Sequence, residues 1–418
     1  MSRRDRSRRC VQVGAWSATA AAVTAVALVA AGTGTAAADA VPLPGCPGLL
    51  VIGVQGTGES SPSASPSLDT GMLGTMFGPM LTAGVDIDRV YIGYPASFGG
   101  AIGTGPGTAS YADSIAFARA RLDDTAAAAA AQCPNTRLAV AGFSQGAGVV
   151  SDFAQDVGSG NGPVPPERVA GVALLSDPTR PTGPDPIPGR PGQHSPDPAP
   201  GTDGDATAGI HLNPVPGSGG IANTGTDFDA LEGRVGEFCA AGDLACDAPP
   251  NAAALQAAAG IAAQSDLRDP IGAATSITAS VQETAAEASA QVMLNDVTVE
   301  AGQVNYVPGQ TVSQRLAQAA DPGTVADLAA SAAAADKSAQ VMAAIAADPL
   351  GQIPRLAGQI GAAIGAELAA NADILNPATL THYATVITNH TGYGATGDTG
   401  TAADWFAALS QDLSGGAP

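Results

Sequence analysis

The chain has 418 residues, of which 13% are charged and 4% aromatic, and its formal net charge is −21 at neutral pH. With 17 Lys and Arg against 38 Asp and Glu, it argues against nucleic acid as a partner, because phosphate contacts draw on Lys and Arg. The charge favours solubility without choosing a fold, and the length suits one large domain or one domain with a big insertion.

Residues 1–38 read as a secretory signal peptide. Arg3, Arg4, Arg6, Arg8 and Arg9 form a basic start, Val11 to Ala31 is apolar and small, and Ala36-Ala37-Ala38 offers a cleavage site before Asp39. A membrane anchor is the competing reading, disfavoured by the Ala-rich run and the cleavage site directly after it. Arg8-Arg9 is also a weak twin-arginine signal. The expected location is therefore secreted or in the cell envelope. Cys10 falls in this segment, leaving Cys46, Cys133, Cys239 and Cys246. An even count in an exported chain predicts two disulfides. Three pairings are possible; Cys239–Cys246 closes a short local loop and is favoured, which leaves Cys46–Cys133. Zinc ligation is the rival, but no His stands at ligand spacing, so no metal is expected.

From residue 48 to 177, apolar runs alternate with helical patterns. Leu49–Val54 is a first strand, ending in the turn Gly56-Thr57-Gly58. Arg89–Tyr94 is a second, stopped by Pro95; Tyr111–Ala131 has helical spacing. Arg137–Gly142 is a third strand, Ala147–Val157 the helix after it, and Val169–Leu175 a fourth strand. Near-continuous apolar strands alternating with helices predict a parallel sheet covered on both faces. Residues 178–223, dense in Pro, Gly and Asp, read as a long mobile loop. A last short strand is expected over Arg234–Phe238. Residues 251–379 are Ala-rich with Tyr306 as their one aromatic, and predict several helices broken at Asp-Pro and Pro-Gly pairs. The final helix is expected from Ala402 to Leu413.

Gly142-Phe143-Ser144-Gln145-Gly146 follows an apolar strand and precedes a helix, the context of a nucleophile elbow. The turn lifts the Ser144 hydroxyl above the sheet at a helix N-terminus, where developing negative charge is stabilised. Serine needs a base to take its proton, and in this fold class acid and His follow the Ser in that order. Asp243, between Cys239 and Cys246, is the acid candidate, with Asp177 as a second choice. Of the four histidines, His194 and His211 precede Asp243 and break the order. His390, read as a loop residue before the last helix, is the chosen base; His382, inside a predicted helix, is the alternative. The oxyanion donors are the N–H groups of Gln145 and Thr57.

Together these pieces resemble the cutinase family. The matching segments are Gly56-Thr57-Gly58-Glu59, Tyr94-Pro95-Ala96-Ser97, Cys133, Gly142-Phe143-Ser144-Gln145-Gly146-Ala147, Leu175-Ser176-Asp177-Pro178, Cys239-x-x-x-Asp243-x-x-Cys246 and His390-x-x-Tyr393-Gly394, in family order. The resemblance covers Cys46 to Cys246 and then His390 to the end. It implies a flavodoxin-like three-layer α/β-hydrolase with a five-stranded parallel sheet, a triad of Ser144, Asp243 and His390, oxyanion donors Thr57 and Gln145, and the disulfides Cys46–Cys133 and Cys239–Cys246. The departure is the long stretch between the Asp and His loops, which short members lack.

The domain expectation is a signal peptide over 1–38, a hydrolase core over 39–250 with the loop 178–223, a helical insertion over 251–379 as lid or cap, and the end of the core over 380–418. The leading function is a secreted serine hydrolase of lipid or polyester esters, a monomer with possible contact to the cell envelope, and one whose chemistry requires no metal or organic cofactor. Alternatives are an acyltransferase, phospholipase or thioesterase with the same triad, and a non-catalytic lipid-binding envelope protein.

Overall fold

The computed structural model describes residues 41–415 except 102, 223–225 and 325–326. The segment read as a signal peptide lies outside the described residues. Five parallel strands form one sheet in the order β2-β1-β3-β4-β5: β1 (Leu49–Val54), β2 (Ile87–Tyr91), β3 (Arg137–Phe143), β4 (Val169–Leu175) and β5 (Val235–Phe238). β1 sits between β2 and β3, pairing Ile52 with both Val90 and Val140.

Alternation along each strand explains the layers. Leu50, Ile52 and Val54 point to one face, where they pack with Leu122 and Ala126 of α2 (Tyr111–Gln132) and Phe153 and Val157 of α3 (Gln145–Gly158). Leu49 and Val51 point to the other, against Met76, Phe77 and Met80 of α1 (Gly71–Leu81) and Trp405, Phe406 and Leu409 of the C-terminal helix. Because both faces are covered, the strands carry almost unbroken apolar sequences. This is the three-layer α/β fold expected from the sequence. The cysteines are joined as Cys46–Cys133 and Cys239–Cys246.

Among its described residues the loop 178–223 has turns and one short 3₁₀ helix at Thr207–Gly209, yet it is anchored and does not run free. Arg180, 1% exposed, donates from Nε to the Cys246 carbonyl at 2.8 Å, from Nη1 to Gly183 at 3.1 Å, and from Nη2 to Pro216 at 2.9 Å and to Ser218. One guanidinium thus organises carbonyls that would otherwise be unpaired. Arg180→Ala is expected to destabilise the protein by about 3–5 kcal/mol, read as a lowered midpoint in thermal unfolding. Arg180→Lys should not restore it, since one ammonium cannot reproduce the planar fork.

Residues 251–379 hold α4 (Ala253–Ala263), α5 (Pro270–Gln291), α6 (Val312–Ala319), α7 (Leu328–Ala347) and α8 (Pro349–Ala370). They also contain a β-hairpin that the Ala-rich pattern hides, β6 (Val297–Glu300) paired antiparallel with β7 (Gln303–Tyr306). Its two turn residues, Ala301 at φ 48° and Gly302 at φ 76°, both lie in the left-handed region, as a tight twisted hairpin requires. The expected boundary at 379 cuts through α9 (Pro377–His382). Two short helices, α10 (Val386–His390) and α11 (Tyr393–Thr396), and the longer α12 (Asp398–Gly415) follow. α12 begins four residues earlier than the sequence pattern suggests, and His390 is the last residue of a helix where a loop was expected. α1, between the first two strands, had no counterpart in the sequence reading.

Candidate active site

In an open parallel sheet, sites form where the strand order reverses, outside the carboxyl ends of the strands. Here that point lies between β1 and β3. The turn after β1 carries Thr57, and the turn after β3 carries Ser144.

Ser144 adopts φ 54°, ψ −118° as the N-cap of α3. The flanking glycines make this turn possible. A Cβ on Gly142 would come within 2.5 Å of the Gly146 carbonyl, and one on Gly146 would overlap the Val54 carbonyl. The Ser144 N–H is held by the Leu175 carbonyl at 2.9 Å, which ties the elbow to the end of β4. Gln145 is the first residue of α3, so its N–H has no intrahelical acceptor. Its side chain is buried and fixed: Oε1 accepts from Ser114 Oγ at 3.1 Å, and Nε2 donates to the Ser97 carbonyl at 3.0 Å. The backbone of Gln145 therefore starts from a rigid platform.

The turn at Thr57 is braced in the same way by a residue the sequence reading passed over. Glu59 accepts from the Gly56 N–H at 3.2 Å and from the Met72 N–H at 3.0 Å. Burial pushes its carboxyl above the ordinary value, against the pull of those two amides and of His390. The Gly58 N–H donates to the Ala96 carbonyl at 2.7 Å, closing the turn from the other side. The signal for this brace was present in the Gly-Thr-Gly-Glu motif.

Asp243 is fully buried within the loop that the Cys239–Cys246 disulfide closes. Its Oδ1 lies 2.8 Å from His390 Nδ1 and accepts from the Ala245 N–H at 3.1 Å. Its Oδ2 accepts from the Tyr393 hydroxyl at 2.7 Å. Burial works to raise the Asp243 carboxyl, but the hydrogen bond and charge of His390, with the Ser176 and Tyr393 hydroxyls, outweigh it and hold the group below the ordinary aspartate value. Tyr393 is pushed the other way, by burial and then by the Asp243 charge. The His390 ring packs on Phe143, the residue before Ser144, with centroids 5.2 Å apart.

Ser144, Gln145, Thr57 and His390 all line one cavity of about 910 Å³. No direct hydrogen bond joins Ser144 Oγ to His390 among the described residues; such contacts often close only around substrate. The far wall of the cavity comes from the insertion: Gln256, Ala259 and Ala263 of α4, and Gln314, Ala317 and Gln318 of α6. The insertion is docked there by the Leu267 N–H, which donates to the Gly99 carbonyl at 2.7 Å.

The other sequence candidates fall elsewhere. His382 Nε2 lies 3.0 Å from Asp247 Oδ2 and faces a different, smaller cavity. His194 meets the Leu212 carbonyl and His211 meets Ser195 Oγ. Asp177 is buried and accepts from the Thr179 N–H and hydroxyl, at 2.9 and 2.8 Å, and from no histidine.

The family model described as Cutinase matches residues 45–264. A carboxylesterase Culp6 homolog from Corynebacterium glutamicum is 30% identical over 220 residues, which cover 49% of this chain and 67% of that relative. Among solved structures, an acetylxylan esterase is 21% identical over 49% of this chain and 87% of its own, with a TM-score of 0.34. The catalytic core domain of acetyl xylan esterase from Trichoderma reesei is 19% identical over 56% of this chain and 99% of its own, with a TM-score of 0.35.

Proposed function

This chain belongs to the cutinase family and is a carboxylic-ester hydrolase, and we propose that it works through an acyl-enzyme on Ser144, with His390 as base and Asp243 as the acid that orients it. The observation that carries this reading is the 2.8 Å contact between Asp243 Oδ1 and His390 Nδ1, at the wall of the cavity that Ser144 also lines. A carboxylate on Nδ1 fixes the tautomer in which Nε2 is free to accept a proton.

His390 Nε2 takes the Ser144 proton as Oγ attacks the ester carbonyl carbon. The tetrahedral oxyanion is held by the N–H groups of Gln145 and Thr57, whose turns are already braced, so little reorganisation accompanies the charge. Collapse expels the alcohol, which takes the proton back from His390. A water, deprotonated by the same nitrogen, then attacks the acyl carbon; the acyl–Oγ bond breaks, His390 returns the proton to Ser144 Oγ, and the acid leaves.

The substrate we propose is a neutral lipid or polyester ester. Among the described residues, the titratable groups lining the cavity are Tyr111, Asp321 and His390, with no Lys or Arg to pair with the phosphate of a phospholipid. Residues 251–379 act as a wall for the acyl or alcohol part, on a core formed by 41–250 and the C-terminal segment. Residues 1–38 direct export, in keeping with the two disulfides. No described helix is long and apolar enough to cross a membrane.

The direct test is a fluorophosphonate probe with mapping of the labelled peptide, beside p-nitrophenyl esters of graded chain length. The label is expected on Ser144; a label elsewhere, or none together with no turnover, overturns the assignment. The wall has its own test. Ala317→Trp fills part of the cavity and is expected to lower kcat/KM for long-chain esters about tenfold, while acetyl esters change less than about twofold. Equal effects on both would remove the insertion from the substrate site.

A further inference from the structure

Ser176 follows β4 directly and is fully buried, with φ 57°. Glycine adopts that left-handed conformation without strain, whereas any residue with a Cβ is strained there. The backbone is locked into it by its surroundings. The Ser176 N–H donates to the Phe238 carbonyl at 2.9 Å, and the preceding Leu175 carbonyl accepts from the Ser144 N–H at 2.9 Å. Ser176 therefore stands at the carboxyl end of β4, between the Ser144 elbow after β3 and the Asp243 loop after β5.

Its side chain has one neighbourhood. Ser176 Oγ is 3.0 Å from His390 Nδ1, the nitrogen that also meets Asp243 Oδ1 at 2.8 Å. A single proton on Nδ1 then faces two acceptors, and the hydroxyl has its own proton left to give. Asp243 Oδ1 is the other partner of that same nitrogen. A buried hydroxyl without partners would be unfavourable, and here its partner is the nitrogen of the proposed base that also meets the proposed acid. We propose that Ser176 is a positioning residue for the ester-hydrolysis reaction: its hydroxyl holds His390 Nδ1 beside Asp243, fixing the imidazole plane so that Nε2 turns toward Ser144. The inference rests on the triad reading given above.

Two substitutions separate this role from a structural one. Ser176→Gly removes the hydroxyl and relieves the backbone; Ser176→Ala removes the hydroxyl and keeps the strain. Both are measured in the full chain with p-nitrophenyl butyrate, together with the rate of fluorophosphonate labelling and the pH profile of kcat. The expected result is a fall of about tenfold in kcat and in labelling rate for both variants, with KM within about twofold. The acid limb of the profile should be displaced in the same sense in both. Thermal stability should divide them, with the glycine variant the more stable. A glycine variant that keeps the wild-type kcat, labelling rate and pH profile overturns the proposal. Ser144→Ala run in parallel distinguishes the two levels. If it retains turnover, the triad reading fails; if it is inactive while Ser176→Gly is fully active, only the role of Ser176 fails.

Discussion

Ser144→Ala is expected to lower kcat for p-nitrophenyl butyrate by about 10⁵-fold or more, with little change in KM. The size follows from loss of the nucleophile in a unit whose members act together, where removing one costs nearly as much as removing all. The remaining rate should come from the Thr57 and Gln145 donors acting on water attack, so it should stay above the uncatalysed reaction. The fold should be undisturbed: the strained φ of 54° belongs to the backbone of the elbow, and the side chain makes no hydrogen bond that caps α3. Far-UV circular dichroism and the thermal midpoint serve as checks. A variant that keeps even a tenth of the wild-type turnover would remove Ser144 from the chemistry.

The second large effect is expected at Asp243. Asp243→Asn conserves shape but offers an amide where His390 Nδ1 now meets a carboxylate. Either the amide NH₂ faces Nδ1 and selects the wrong tautomer, or the amide oxygen faces it without the charge that stabilises the imidazolium. A fall in kcat of about 10⁴-fold is expected. The depressed Asp243 carboxyl also links to stability. A group whose folded value lies below its unfolded one contributes stability above the unfolded value and loses it as pH falls through the folded one. The wild type should accordingly lose stability relative to the asparagine variant on acidification, and the gap between their thermal midpoints should narrow below the ordinary aspartate range. His382→Ala is the control. Its imidazole pairs with Asp247 and lies outside the cavity of Ser144, so kcat should change less than about threefold. A loss at His382 equal to that at Asp243 would shift the base from His390.

Much of this architecture could be read from the chain. The runs Leu49–Val54, Leu138–Phe143 and Val169–Leu175 are apolar throughout because both faces of the sheet are covered, and that pattern is local and strong. Gly142 and Gly146 flank Ser144 because backbone atoms occupy the space a Cβ would need, a constraint written into the residue types. The cysteine count and the order of Ser, Asp and His are likewise properties of the sequence.

Other features carried a weaker local signal or none. The hairpin of β6 and β7 turns on Ala301-Gly302, without the Asn or Asp that usually announces such a turn, and its short runs rich in β-branched and aromatic residues, Val297-Thr298-Val299 and Val304 to Tyr306, are flanked by Ala-rich sequence whose propensity is helical. His390 and His382 each end a short helix, so no secondary-structure pattern could rank them. What separates them is the carboxylate each one meets, Asp243 or Asp247, across more than a hundred residues of chain. Glu59, Ser176 and Tyr393 stand in family-matching segments, but they acquire their partners only when β1, β4, β5 and the C-terminal segment converge. The sequence alone determined the sheet, its covered faces and the elbow, because those follow from periodicity and the absence of a Cβ. Only the tertiary structure decided which histidine meets Asp243, which hydroxyls lie against that pair, and that residues of α4 and α6 line the cavity, because contacts between distant segments depend on where the packed layers bring them.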